Sequence, residues 1–143
     1  MWHGHQDIKF LLLDKLAWVE EFSRQEAKAY GYEDHDILSS SGILTFVDHG
    51  VVTISSIAKK LGISRQAVHK SVQILAKKDF LFLGEGQDKR EKVICMTPQG
   101  EALLACRKSV MAKVETAIAQ TLGKDAFAQL KKLLGVAWEE NVS

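Results

Sequence analysis

At 143 residues the chain has the length of one domain, enough to bury a core without disulfide or metal staples. Apolar residues make up 46% and charged residues 26%, which excludes a disordered or fibrous chain, and no apolar run approaches the roughly 20 residues of a membrane span. The net charge of +1 hides an asymmetry: residues 1–50 carry four Lys/Arg against nine Asp/Glu (−5), residues 51–97 nine against four (+5), and residues 98–143 six against five (+1).

The first element is a helix over residues 7–29, in which Ile8, Leu11, Leu12, Leu16, Val19 and Phe22 recur at three- and four-residue steps. Leu13, Trp18 and Tyr30 widen its apolar surface, so it must be covered on more than one side, by its own domain or by another subunit. Glu33–Asp36 reads as an acidic connector. A second helix is expected to begin at Ser39-Ser40-Ser41, to carry Ile43, Leu44 and Val47 inward and to stop at Gly50. Val51–Ile54 is a short β-prone run, and Ser55 is the expected cap of a short third helix with Ile57, Ala58 and Leu61.

Gly62-Ile63-Ser64 is the most informative turn. Gly62 can take a positive φ and end the third helix, while Ser64 caps a fourth. That fourth helix sets Val68, Val72 and Leu75 on one face and Arg65, Gln66, His69, Lys70 and Gln73 on the other. Two short helices joined by such a turn form a helix-turn-helix. Phe80–Leu83 and Lys92–Met96 then read as strands around the polar tip Gly84–Arg90, a hairpin in the position of a wing. Thr97-Pro98 caps and opens a fifth helix running to about Gln120, and a last helix follows Leu122-Gly123. The fold class is therefore mainly α: a winged helix-turn-helix with a two-stranded hairpin, flanked by N- and C-terminal helices. The basic block of residues 51–97 is either the electrostatic footprint of a nucleic-acid reader or chance clustering on a solvated surface.

The segment TISSIAKKLGISRQAVHKSVQILAKKDFL, followed by the wing residues DKR and then MTPQG, resembles the MarR family of winged helix-turn-helix transcription regulators. Asp88 and Arg90 match the family's Asp-x-Arg wing motif, and Thr97 and Gly100 match its Leu-Thr-x-x-Gly motif with Met96 in the leucine place. Asp79 departs from the usual glycine, but Asp tolerates the left-handed conformation. The match is specific over residues 53–100 and a pattern match elsewhere. The resemblance implies six helices and one hairpin over a single domain, residues 1–143. Within it, residues 38–97 would be the DNA-binding lobe, and 1–37 with 98–143 a helical dimerisation lobe. It also implies a cytoplasmic homodimer on a pseudo-palindromic operator, usually a repressor, with small aromatic effectors binding between the lobes.

The expected duplex contacts follow from groove geometry. In the major groove Arg65 would fork onto guanine, Gln66 would pair with adenine or bridge to a phosphate, His69 and Gln73 would lie near bases, and Lys70 would meet a phosphate. Ser55, Ser56 and Ser64 lie at helix starts suited to phosphate. Arg90 would enter the minor groove, Lys89 or Lys92 would touch backbone, and Asp88 would support the wing by holding a basic neighbour, with Arg90 the candidate. Trp18, Tyr30, Tyr32 and Phe46 are the candidate effector residues, with core packing as the competing account of each. His3-x-His5 offers too few ligands for a structural zinc, His35 and His49 beside aspartates are either metal-sensing residues or ordinary solvated loop, and no cofactor is expected. Cys95 and Cys106 lack metal or disulfide spacing; Lys92 and Arg107 could activate them, against the commoner fate of a buried thiol. The chain carries no P-loop, GxGxxG, GxSxG or HExxH signature, so no enzyme is indicated. Two alternatives stand beside the DNA-binding regulator: a winged-helix protein-interaction module, and a metal- or redox-gated regulator of the same family.

Overall fold

A computed structural model describes residues 6–88 and 90–138. Seven helices and one hairpin follow in order: α1 (Ile8–Ala29), α2 (His35–Ser40), α3 (Gly42–Asp48), α4 (Ile54–Leu61), α5 (Arg65–Lys77), β1 (Leu81–Glu85), β2 (Lys92–Met96), α6 (Pro98–Leu122) and α7 (Lys124–Gly135). His3, His5 and Lys89 lie outside the described residues.

Each well-capped helix starts where a short polar side chain can take an orphan amide. Asp7 accepts from the Phe10 amide at 2.9 Å to open α1. Ser64 does the same for α5 through Ala67, and Thr97 for α6 through Gly100, each at 3.0 Å. The expected cap Ser55 is displaced by Thr53, whose hydroxyl oxygen accepts the Ser56 amide at 3.1 Å. Thr53 is β-extended, as a cap should be, whereas Ser55 lies inside the helix.

The expected connector is also corrected. Chain that reads as an acidic loop already turns into α2 at His35, with the Asp34 carbonyl accepting the Leu38 amide at 3.0 Å. The serine cluster therefore ends one helix instead of opening the next. Ser41, itself helical at φ −65°, sends its hydroxyl back to the Leu38 carbonyl at 2.8 Å and caps nothing. Expected helices thus number one fewer than those observed.

The β-prone run Val51–Ile54 forms no strand, yet its Val52 carbonyl accepts the Ile94 amide at 2.7 Å and ties the run to β2. β1 begins one residue later than expected because Asp79, at φ 65°, and Phe80 complete the end of α5, the Phe80 amide returning to the Leu75 carbonyl at 2.9 Å. The strands pair antiparallel in the register Leu81↔Met96 to Glu85↔Lys92.

Leu44, Ile57, Val68, Val72, Leu75, Leu81, Ile94 and Leu103 form the centre of one core, each at most 2% exposed. Their burial joins α3, α4, α5, the hairpin and the first turns of α6. At roughly 1.5–3 kcal/mol for each large side chain, this cluster fixes the orientation of α5. α1 packs along α6, and α7 packs back on α6, with Lys113–Glu26 and Lys131–Glu115 ion pairs across those contacts.

Candidate nucleic-acid interface

The turn between α4 and α5 is built as its residues dictate. Gly62 adopts φ 67°, ψ 30°, the left-handed geometry that glycine takes without steric cost. The Ile63 amide then donates to the Ala58 carbonyl at 3.1 Å, and Ala58 itself is buried against α5. Val68, Val72 and Leu75 hold α5 by its inner face. The same register leaves Arg65, Gln66, His69, Lys70 and Gln73 all exposed on the outer face. Positions 65, 69 and 73, and 66 and 70, are four residues apart, so these side chains form two adjacent rows. Ser55, Ser56 and Ser64 are exposed at the starts of α4 and α5.

The wing is a closed loop of short bonds. The Gly86 amide donates to the Glu91 carbonyl at 3.0 Å and the Glu91 amide to the Asp88 carbonyl at 2.9 Å. Asp88 receives the backbone amide of Arg90 on its Oδ1 at 3.1 Å. The carboxylate thus holds Arg90 through its main-chain amide. Among the described residues Arg65, Lys70, Arg90 and Lys92 enter no ion pair, and all four are exposed. Their charges are thus available to a polyanion.

The motif Thr97-Pro98-Gln99-Gly100 locks the wing to the rest. Thr97 donates its hydroxyl to the Asp79 carbonyl and its amide to the Phe80 carbonyl. Gly100 lies so close that a Cβ there would stand 1.9 Å from the Phe80 oxygen.

The four aromatic candidates have different neighbours within the chain. Trp18 packs on Phe22 at a ring-centroid distance of 5.3 Å, Tyr30 lies under the Lys113 ammonium, and Tyr32 and Phe46 pack against the core. None lines the cavity of about 70 Å³ found between α1, α2 and α6, whose walls include Glu20, Ser23, Leu38, Leu103, Cys106 and Arg107. Sequence reasoning missed this cavity; its one signal is an arginine directly after the apolar run Ala102–Cys106. Cys106 is buried there, and burial pushes its thiol above the ordinary range against the smaller opposing pull of Arg107. Burial thus outweighs the pull of Arg107, which disfavours the thiolate form that a reactive cysteine needs. The described residues contain no group of three or more metal-ligating side chains. No helix among them is long and apolar enough to cross a membrane.

Comparison with known proteins matches this geometry. The MarR family model covers residues 38–91. Apo MarR from E. coli superposes with a TM-score of 0.71 at 16% identity, over 92% of this chain and 96% of that one. A MepR–DNA complex from S. aureus gives 0.68 at 18% identity, over 90% and 91%. The transcriptional regulator PA4135 gives 0.71 at 18% identity, over 91% and 94%. No curated protein matches the sequence significantly. Residues 38–91 thus match the MarR family model, and the whole chain shares the winged helix-turn-helix fold of these regulators.

Proposed function

We propose that the protein is a sequence-specific, double-stranded DNA-binding transcription regulator. It acts as a homodimer on a pseudo-palindromic operator, as a repressor that a small-molecule effector releases, and has no enzymatic role. The observation that carries this reading is the outer face of α5. Five polar or basic side chains stand free there on a helix anchored from behind, and a major groove about 12 Å wide admits one such helix. A MepR structure of the same fold is bound to DNA. A protein-interaction module would carry apolar anchors on that face, and among its outward residues there are none. Residues 38–97 form the DNA-binding lobe in this reading, with 1–37 and 98–143 forming the dimerisation lobe. The effector occupies the cavity between α1, α2 and α6, to which the aromatic candidates do not contribute.

Arg65 reads a base and Lys70 fixes register on a phosphate. Binding-site selection on the intact protein should return a two-fold symmetric motif. Arg65→Ala should lower affinity for that motif by at least about 30-fold, because one bidentate contact is lost in each half-site, and flatten preference at one symmetric pair of positions. An unchanged motif would remove Arg65 from the base readers.

The wing contact is tested through salt. Each phosphate-neutralising cation contributes about 0.9 to the slope of log K against log salt, and a dimer has two wings. Arg90→Ala should therefore reduce the slope by nearly 2. A parallel salt titration would show that Arg90 does not meet the duplex.

A further inference from the structure

We propose that Arg107 is a positioning residue: its guanidinium latches the α2–α3 joint to α6 and has a second seat across the neighbouring cavity, on Glu20 and Ser23. This rests on the reading in which α5 docks on DNA, because α2 packs directly against α5 and carries the joint's position to it.

The first seat is incomplete. Arg107 Nη1 donates to Ser41 Oγ at 2.9 Å, joining residues 66 apart in sequence. Ser41 is wholly enclosed and its own proton is committed to the Leu38 carbonyl. Among the described residues the cation thus makes one hydrogen bond, to a neutral oxygen, while its Nε is buried without a partner. Burial pushes its pKa below the usual arginine value. Desolvated guanidinium groups are normally held by carboxylates in paired bonds, so this seat leaves part of the desolvation cost uncompensated.

The second seat supplies what the first lacks. Glu20 and Ser23 line the same cavity as Arg107. The Glu20 carboxylate already acts on the guanidinium, holding its proton more firmly, and enters no ion pair among the described residues. Ser23 Oγ is buried with no partner. The cavity leaves room between the two seats. Moving the guanidinium toward Glu20 releases Ser41, and with it the hinge between α2 and α3. Occupancy of the two seats then sets how firmly the winged helix is held on α6.

Hydrogen exchange on the full-length protein without DNA tests the latch. Ser41→Ala and Arg107→Met should each speed exchange of the amides in residues 41–48 by about tenfold, the scale of a lost hydrogen bond to a charged group. The double variant should exchange no faster than either single one, since both remove the same contact. Glu20→Gln should act in the opposite direction and slow the same amides by about threefold, because it weakens only the competing seat. A merely structural arginine gives no such reversal. Additive single effects, or a Glu20→Gln protein that exchanges at the wild-type rate or faster, would overturn the proposal. Glu20 is exposed, so that variant keeps the test decisive if Ser41→Ala does not fold. Duplex binding is measured in parallel: exchange shifts as described without any duplex binding leave the latch standing and the DNA reading lost. Intact binding without the reversal has the converse meaning.

Discussion

Gly100→Ala should cost the protein at least about 3 kcal/mol of stability and lower its melting temperature by about 10 °C. The Cβ would fall 1.9 Å from the Phe80 carbonyl oxygen and 3.1 Å from its carbonyl carbon. Both are main-chain atoms, held by the hydrogen bond from the Thr97 amide and by the end of α5. A flexible side chain could swing aside; these atoms move only if α6 lifts away from the junction of α5 and β1. Lifting α6 unseats Leu103 and Leu104, which complete the core. Thermal unfolding of Gly100→Ala beside Gly42→Ala separates this clash from a generic glycine effect. Gly42 is helical with open space around its Cβ position, so its replacement should be neutral or slightly stabilising. Equal melting temperatures for the two variants would contradict the close approach. The result would also explain the glycine of the Thr-x-x-Gly motif without any contact to DNA: it brings the wing and α6 together.

What the sequence disclosed depended on how local the determining contact is. α5 was legible to the residue, because Gly62, the Ser64 cap and the three-to-four spacing of Val68, Val72 and Leu75 all act within a few positions. Thr97 and Pro98 were legible for the same reason. Locally ambiguous signals misled. Ser39–Ser41 resembles a cap and so suggests a helix start, but Ser41 is enclosed by the fold and its hydroxyl is satisfied backward, and the cluster ends α2 instead. Thr53 was hidden inside a β-branched run, and the nearby Ser55 took its role. Contacts between distant segments could not be read at all. The bond from Arg107 to Ser41 and the cavity beside it arise only when α1, α2 and α6 meet. The aromatic residues show the same limit: periodicity places Trp18 on a greasy helix but not the direction it faces, and it settles on Phe22 of that helix.

The second large effect concerns the surface that this chain alone does not cover. Ile8, Leu12 and Leu16 form a stripe along α1 that is 64%, 41% and 53% exposed. α7 buries none of its residues, and Leu133 and Leu134 remain about half exposed. Isolated exposed leucines are ordinary, but two helices with unsatisfied apolar faces at the ends of one chain are the usual signature of an interface. In the proposed homodimer these faces are covered by the second copy. Leu16→Glu then places a carboxylate into each half of a dry contact, whereas in a monomer the same position is mostly in water. The variant should elute with the mass of one 15.9-kDa chain instead of two in light-scattering chromatography. Operator affinity should fall at least about 100-fold, because the second half-site is no longer engaged at high effective concentration. A single half-site should bind the variant and the parent equally, which separates lost pairing from a damaged α5. A Leu16→Glu protein that stays dimeric with full operator affinity would take α1 out of the interface. Leu133→Glu then asks the same question of α7, and a dimer surviving both substitutions would leave the two recognition helices without the spacing that a palindromic operator demands.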